Sequence, residues 1–169
     1  MKIRLASLKD IENIMVLIKN CIKDMETKGI YQWSEYYPTA EIFEEDIKGK
    51  SLYVMEDKDN CLGVISINED QSPEYRELVW ADKSGKILVI HRLAVNPECQ
   101  KQGIGRQLMD FAENYAKEKD YSSIRLDAYS GNPRALNLYE CRGYKRVGQI
   151  FFPGRELPFN CYEKIVENK

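Results

Sequence analysis

The segment Val95-Asn96-Pro97-Glu98-Cys99-Gln100-Lys101-Gln102-Gly103-Ile104-Gly105-Arg106 decides the fold, because an apolar strand ends there and a helix begins through a Gln-x-x-Gly-x-Gly turn. The pattern predicts a strand over 87–95 and a helix with apolar positions at helical spacing after the turn. Gly103 and Gly105 let the backbone approach a ligand closely. Successive N–H groups at a helix N-terminus can then converge on one anion. The turn therefore predicts a phosphate-binding loop.

Two other phosphate-binding motifs fit this turn less well. A nucleoside-triphosphate P-loop requires Gly-x-x-x-x-Gly-Lys-Ser/Thr, which the chain lacks. A dinucleotide-binding turn requires a third glycine and an acidic residue about twenty positions further on. Asp127 lies near that spacing, but Arg106 and Gln107 follow Gly105, so the third glycine is missing. The remaining alternative is an ordinary glycine turn between a strand and a helix.

A second signature lies downstream, in Asn132-Pro133-Arg134-Ala135-Leu136-Asn137-Leu138-Tyr139-Glu140-Cys141-Arg142-Gly143-Tyr144. Asn132 is placed to cap a helix with Pro133 in its first position. Together the two segments resemble the GNAT superfamily of N-acetyltransferases. In that family Gln/Arg-x-x-Gly-x-Gly/Ala binds the pyrophosphate of acetyl-CoA, and an Asn-x-x-Ala…Tyr…Gly-aromatic segment completes the site. The likeness covers nearly the whole chain and departs at Lys101, where many members carry glycine.

The resemblance implies an α/β protein with the GNAT fold, in which helices flank a mixed, mostly antiparallel central sheet. The order of elements read from the sequence agrees with it, and we expect residues 1–169 to form one domain. A capping box at Ser7-x-x-Asp10 opens the first helix, whose predicted core stripe comprises Ile11, Ile14, Met15, Ile18, Ile22 and Met25. The expected elements are strands over 2–6, 51–57, 61–68, 87–95, 124–129, 144–152 and 159–166, and helices up to 29, over 39–47, after 103 and from 132 to 143. The alternation over 124–129 predicts a half-buried strand, and the insertion 69–86 reads as either a lid or a surface excursion.

Composition limits the classes of partner and the cellular compartment. Hydrophobic residues make up 43% of the chain and charged residues 31%, and the formal net charge is −2, which disfavours a nucleic-acid substrate. No run is long enough to span a membrane and no secretory signal is visible, so we expect a cytoplasmic protein without a membrane partner. The five cysteines lack zinc-site or redox-motif spacing, which predicts reduced thiols and no metal. Cys141 reads as helix packing more readily than as a nucleophile.

The resemblance implies acetyl-CoA as cosubstrate. Backbone amides from Gln100 to Arg106 would hold its pyrophosphate, and the strand 93–95 would pair with its pantetheine arm. An N–H near Leu93 would polarise the acetyl carbonyl. The side chains of Lys101 and Arg106 either add charge near the phosphates or are simply solvated. The expected coenzyme-binding residues are Leu93, Ala94, Val95, Gln100, Lys101, Gln102, Gly103, Ile104, Gly105, Arg106, Asn132 and Tyr139.

Two residues are expected to move protons. Tyr139 matches the family tyrosine that donates a proton to the departing thiolate, a role that suits a phenol with a pKa of about 10. The alternative is an aromatic side chain that only packs between helix and sheet. His91, the sole histidine, lies two residues before Leu93 on the same strand face, where arylalkylamine acetyltransferases carry a histidine that helps deprotonate the amine. A hydrogen-bonded, partly buried histidine is equally compatible, and the other candidate bases are water, Glu35, Glu69 and Asp127.

The sequence says least about the acceptor substrate and the residues that bind it. Family members build the acceptor side from the regions that correspond to 31–37, 69–86 and 151–159, and we expect Tyr31, Trp33 and Tyr129 to contact it. Aromatic side chains there suit a small-molecule amine or a peptide equally. We therefore expect direct acetyl transfer to a primary amine of a small molecule or peptide, without a covalent enzyme intermediate. A protein N-terminal or lysine acetyltransferase and a non-catalytic CoA-binding regulatory module stay open, and a homodimer is compatible with the sequence.

Overall fold

The computed structural model describes residues 1–167, and its strands and helices follow the predicted order. Short 3-10 turns cover Leu8–Asp10, Pro73–Glu77 and Pro97–Cys99. The other elements are β1 (Lys2–Leu5), α1 (Ile11–Thr27), α2 (Ala40–Lys48), β2 (Leu52–Asp57), β3 (Asn60–Asn68), β4 (Ile87–Val95), α3 (Ile104–Glu118), β5 (Ser123–Tyr129), α4 (Pro133–Cys141), β6 (Lys145–Ile150) and β7 (Phe159–Ile165).

The strands form one seven-stranded sheet in the order β1-β2-β3-β4-β5-β7-β6. The pairs β1–β2, β2–β3, β5–β7 and β6–β7 are antiparallel. Strands β4 and β5 are parallel, in a register that runs from Ile87–Ser123 to Ile90–Leu126, and α3 makes the crossover that a parallel pair needs. The expected α/β class, with a mixed and mostly antiparallel sheet flanked by helices, is confirmed.

The chain's internal contacts divide it into two compact units. The first comprises Met1–Ile67 and Arg92–Asp110, and the second comprises Asn68–His91 and the chain from Phe111 onward. Strand β4 and helix α3 each run from one unit into the other.

In the first unit, α1 and α2 pack on one face of the strands. Gly63 lies on the opposite face, where a Cβ would stand 2.9 Å from the Ala94 carbonyl oxygen and 3.0 Å from Leu108 Cδ1, so α3 fits only over a glycine. The buried cluster on the α1–α2 face comprises Ile14, Leu17, Ile18, Cys21, Trp33, Phe43, Leu52, Val54, Val64 and Ala94.

Helix α1 begins after the predicted capping box and is rotated slightly from the predicted stripe. The Ser7 backbone N–H donates to Asp10 Oδ2 at 2.7 Å, and a 3-10 turn separates this box from the first residue of α1. The buried side chains of α1 are Ile14, Leu17, Ile18 and Cys21, whereas Ile11, Met15, Ile22 and Met25 are only partly buried. The buried face of α1 is therefore rotated by about one residue position from the face that the sequence predicts.

In the second unit, the prediction of a half-buried β5 is wrong. Arg125 and Tyr129 lie on the face of β5 that was expected to be solvent-exposed, but they are only 7% and 3% exposed. The segment 69–86 supplies the cover, because Tyr75 and Trp80 are themselves 2% and 6% exposed and the Arg125 guanidinium lies 4.2 Å from the Trp80 ring centroid. The insertion is thus a packed part of this unit rather than a surface excursion.

All five cysteines are free thiols in the structure. Within residues 1–167, none of the helices combines the length and the apolar composition needed to cross a bilayer.

Candidate active site

The predicted phosphate loop connects the 3-10 turn Pro97–Cys99 to the first residue of α3. Lys101 and Gly103 both adopt left-handed backbone conformations, with φ of 67° and 78°. A Cβ on Gly103 would meet nothing within 4 Å, so its backbone angle, and not crowding, explains the glycine. Left-handed residues in such a loop curl successive N–H groups toward one point, and the loop opens directly into a helix N-terminus. It therefore has the backbone form of an anion cradle.

Lys101 is the position at which the loop departs from the family pattern, and its backbone shows how the loop tolerates a lysine there. A residue with a side chain holds the left-handed conformation that glycine adopts more easily. The backbone path is thus kept and the strain falls on Lys101. The side chains of Lys101 and Arg106 are both exposed.

The strand end before the loop is held by neighbours in the first unit. The Asn96 backbone N–H donates to the Leu62 carbonyl at 2.9 Å, and the Asn96 side chain accepts from the Glu98 backbone N–H at 3.1 Å. The Cys21 thiol of α1 donates to the Val95 carbonyl at 3.3 Å. Burial raises the pKa of Cys21 to about 12, so the thiol keeps the proton that it donates. These contacts fix the point from which the loop starts.

His91 is half-buried in β4, and its Nε2 lies 2.6 Å from Asn68 Oδ1. The same oxygen accepts the Asp70 backbone N–H at 2.8 Å. The structure therefore contains the hydrogen-bonded histidine that the sequence allowed, and a base role stays a prediction.

Arg92, the next residue of β4, makes a contact that the sequence analysis missed. Its guanidinium donates to Asp46 Oδ2 of α2, with Nε at 3.2 Å, and to the Tyr37 hydroxyl at 3.3 Å. The two charged side chains are only 11% and 10% exposed. A lone arginine inside an apolar strand is the signal that could have revealed it, because a buried charge requires a partner. The segment 30–38 between α1 and α2, the aromatic connection, contains four aromatic residues. The Arg92 contacts fix this connection, through Tyr37, and α2, through Asp46, to β4.

Tyr139 lies on α4, whose start is as predicted. Asn132 Oδ1 accepts the Ala135 backbone N–H at 3.2 Å, which confirms the cap. The Tyr139 ring is 7% exposed, and its centroid lies 6.1 Å from that of Tyr144 and 6.2 Å from that of Tyr162. Burial raises the pKa of Tyr139, and the negative charge of Asp127 adds to this effect, so the phenol holds its proton firmly. The side chain therefore packs as a core residue and is also protonated as an acid must be.

The three expected acceptor-binding aromatics differ in exposure. Tyr31 is 57% exposed, whereas Trp33 and Tyr129 are 9% and 3% exposed. Trp33 belongs to the core of the first unit, and the Tyr129 ring packs edge-on against Phe159 with centroids 5.2 Å apart. Acceptor contact by these residues stays a prediction.

An open groove of about 480 Å³ lies in the first unit, beside the aromatic connection. Its lining combines apolar side chains with both signs of charge. It is formed by Met15, Ile18, Lys19, Ile22, Lys23 and Glu26 of α1 together with Ser34, Glu35, Tyr36 and Pro38.

The expected site residues thus fall in both units. The first unit contains the strand end 93–95, the loop 100–106, Tyr31 and Trp33, and the second contains His91, Tyr129, Asn132 and Tyr139.

Comparison with known proteins agrees with the two sequence signatures. The model of the acetyltransferase (GNAT) family matches residues 17–144, a span that contains the predicted phosphate loop and the Asn132–Tyr144 segment. In a crystal structure of a GNAT-family acetyltransferase from Streptococcus agalactiae, the same fold covers 99% of this chain and 96% of that one, with a TM-score of 0.83 at 22% identity.

Two curated relatives are similar in sequence. Human N-acetyltransferase 8 is 29% identical over 105 residues, which are 62% of this chain and 43% of that protein, so the match spans less than half of the human relative. The S-(2-succino)cysteine N-acetyltransferase of Bacillus subtilis is 23% identical over 150 residues, which are 86% of this chain and 85% of that one.

Proposed function

We propose that this chain, which belongs to the acetyltransferase (GNAT) family, transfers an acetyl group directly from acetyl-CoA to a primary amine of a small molecule. The observation that carries the proposal is the cradle at residues 100–106. Two left-handed residues, Lys101 and Gly103, precede the first turn of α3 within the span that the family model matches. A pyrophosphate is the anion that such a cradle suits.

The coenzyme-binding roles follow from the cradle and from the family resemblance. Amides of 100–106 would bind pyrophosphate, and the open space beside Gly103 leaves room for the phosphate oxygens. The backbone of 93–95 would bind the pantetheine arm, and an N–H near Leu93 would polarise the acetyl carbonyl. Bound acetyl-CoA supplies a thioester whose C–S bond breaks when the new C–N bond has formed.

Two side chains would handle the protons. Tyr139 holds one at its phenol oxygen, where burial keeps the hydroxyl protonated, and it would donate that proton to the departing thiolate. His91 would take the proton that the amine releases, directly or through water. Two of the competing carboxylates have partners of their own, because the hydroxyl of Tyr121 donates to Glu69 at 2.9 Å and that of Tyr75 donates to Asp127 at 2.6 Å. His91 also has a partner in Asn68, so its choice as the base rests on the family resemblance.

We propose an amino-acid-like amine with an anionic substituent as the acceptor class. The name of the Bacillus subtilis relative describes such an acceptor, an S-substituted cysteine with carboxylate groups. In this chain the groove beside the aromatic connection combines the ammonium groups of Lys19 and Lys23 and the carboxylates of Glu26 and Glu35 with an apolar lining. The lysines would pair with a carboxylate of the acceptor and the glutamates with its ammonium group, which favours an amino-acid-like amine over a polyamine.

The coenzyme site is tested by calorimetric titration of acetyl-CoA into two glycine variants. Gly103 and Gly154 have φ of 78° and 79°, and a Cβ on either would meet nothing within 4 Å. Gly103→Ala and Gly154→Ala should therefore lose similar stability, about 1 kcal/mol. Only Gly103→Ala should bind the coenzyme more weakly. Equal affinity in the two folded variants would place the phosphate site elsewhere.

The activity is tested by thiol release from acetyl-CoA with a panel of amines. The panel contains S-(2-succino)cysteine, free amino acids, polyamines, aminoglycosides and peptides with free N-termini. The proposal predicts the highest kcat/KM for the carboxylate-bearing amine. Turnover only with peptides would favour a protein acceptor, and coenzyme binding without turnover on any amine would favour a regulatory module.

A further inference from the structure

One oxygen atom, Oδ1 of Asn68, has two neighbours that identify its role. The Asp70 backbone nitrogen lies 2.8 Å from it and His91 Nε2 lies 2.6 Å from it. Asn68 ends β3, His91 lies in β4, and both belong to the second unit. The histidine contact is therefore made by a side chain that is itself held by the backbone.

The Asp70 contact determines which way the amide of Asn68 faces. A backbone N–H can only donate, so the atom facing it must be the carbonyl oxygen and not the NH₂ group. The partner of that same oxygen on His91 must then be a donor. Nε2 therefore carries a hydrogen, and in the neutral imidazole the lone pair resides on Nδ1.

We infer that Asn68 is a positioning residue that holds His91 in its Nε2–H tautomer, so that Nδ1 is the atom that receives the proton of the acceptor amine. The inference rests on the proposed function, in which His91 is the base. As the amine's C–N bond to the acetyl carbon forms, its N–H bond breaks and an Nδ1–H bond forms, directly or through one water. The imidazole becomes an imidazolium, and no other reactant is needed.

The same hydrogen bond assists that step energetically. When Nδ1 gains the proton, the Nε2–H donor becomes part of a cation, and its bond to the Asn68 oxygen becomes a charge-assisted one, which is stronger. An amide oxygen supplies this stabilisation without the permanent negative charge of a carboxylate. The nearest carboxylates in the sequence, Glu69 and Asp70, directly follow Asn68, and the Glu69 carboxylate accepts the Tyr121 hydroxyl at 2.9 Å.

The tautomer can be measured directly, because the chain contains a single histidine. In the full chain labelled with ¹⁵N-histidine, we expect a protonated Nε2 and an unprotonated Nδ1 above the titration of the ring. Asn68→Ala should mix the tautomers. Asn68→Asp should keep the tautomer and raise the apparent pKa of His91 by about one unit, because a carboxylate then faces the donor. Asn60→Asp, at the exposed first residue of β3, adds the same charge elsewhere and should shift the pKa far less.

A protonated Nδ1 in the wild-type chain would overturn the inference, and so would unchanged ¹⁵N shifts in Asn68→Ala. Circular dichroism of each variant shows whether it is folded. Should Asn68→Ala not fold, the pKa shift of Asn68→Asp relative to Asn60→Asp decides the question by itself.

Kinetics separate this inference from the proposed function. Asn68→Ala should lower kcat about tenfold with little change in KM for acetyl-CoA, while Asn68→Asp should keep kcat within about threefold at a pH above its raised pKa. Wild-type turnover in His91→Ala would overturn the role of Nδ1 and leave acetyl transfer standing. Failure of the wild-type chain to acetylate any amine would overturn the proposed function, whereas the NMR measurement would still decide the tautomer.

Discussion

The hydroxyl of Tyr75 donates to Oδ2 of Asp127 at 2.6 Å, and this bond ties the segment 69–86 to β5. Burial raises the pKa of Asp127 from its ordinary 3.8 to about 6 against the opposing effect of the Tyr75 hydrogen bond, and the charge of Glu74 adds to the rise. Burial likewise raises the pKa of Tyr75, so the phenol remains the donor. The second unit thus contains a partly buried carboxyl group whose pKa is raised toward neutrality.

This carboxyl group makes a predictable contribution to the pH dependence of folding. Because the pKa of Asp127 is higher in the folded chain, the folded state binds a proton that the unfolded state releases between about pH 4 and 6. The stability that this group contributes is therefore fully present below about pH 4 and is lost as pH rises through 6. A shift of about two units corresponds to at most about 3 kcal/mol.

We predict that Asp127→Asn removes this dependence, so that the variant is more stable than the wild type at pH 8 by about 1–3 kcal/mol and loses that advantage at pH 4. Urea denaturation at several pH values measures the difference.

Other carboxylates, such as Asp10 and Asp82, have lowered pKa values and contribute to the pH dependence of stability with the opposite sign. The stability of the variant is therefore compared with that of the wild type at each pH. Tyr75→Phe is the matched variant, because losing the hydroxyl should move the titration of Asp127 to higher pH. Parallel stability curves for wild type and Asp127→Asn would contradict the prediction.

We predict that Asp46→Ala is strongly destabilising, by about 3–5 kcal/mol, because it leaves the Arg92 charge buried without its partner. Replacing both residues, as Arg92→Met with Asp46→Leu, should recover most of that loss. The exposed pair Lys28–Asp24 is the control, since its side chains are 50% and 28% exposed and Lys28→Ala should cost less than about 1 kcal/mol. Denaturant titrations provide all three values. Equal costs for the buried and the exposed pair would show that Arg92 is solvated.

The sequence correctly predicted the elements whose start, end and type are indicated by residues within the element itself. The strand 87–95 and the cap at Asn132 are confirmed because apolar runs, caps and turn residues lie within the segments that they define. The turn between β4 and α3 was also visible in the sequence, since its glycines and the strand and helix on either side of it are contiguous, and its binding of phosphate stays a prediction.

Contacts between distant segments were not predictable in this way. Alternation of apolar and polar residues over 124–129 normally indicates a strand with one solvent-exposed face. In this chain Tyr75 and Trp80, about fifty residues earlier in the sequence, cover that face. The partner of Arg92 is equally remote, and the pairing of His91 with Asn68 depends on how β3 and β4 meet. In each case the residue type suggested that a partner was needed, whereas only the tertiary fold identifies it.

We predict that Lys101→Gly raises the free energy of unfolding by up to about 1 kcal/mol, because glycine adopts the left-handed φ of 67° without strain. Lys101→Ala should leave stability nearly unchanged, since alanine keeps the strain. Both variants lose the ammonium group and should bind acetyl-CoA about threefold more weakly at low salt. Lys50, with φ of 55°, is the matched control: Lys50→Gly should gain similar stability and leave coenzyme affinity unaltered. Thermal unfolding and calorimetry report the two quantities, and a loss of stability in Lys101→Gly would refute the strain argument.

We predict that Tyr139→Phe lowers kcat by about ten- to a thousandfold while acetyl-CoA affinity changes little, because the ring and its packing stay and only the proton donor to the thiolate is lost. Tyr144→Phe is the matched control, since Tyr144 is also buried in the second unit and its ring lies 6.1 Å from that of Tyr139. That variant should keep kcat within about threefold. Steady-state kinetics with an identified amine and calorimetric titration of the coenzyme, on all three proteins, make the comparison. Equal turnover in Tyr139→Phe and wild type, under conditions where acetyl transfer limits the rate, would remove Tyr139 from the mechanism and leave water as the acid. A parallel fall in affinity and rate would instead assign the hydroxyl to coenzyme binding.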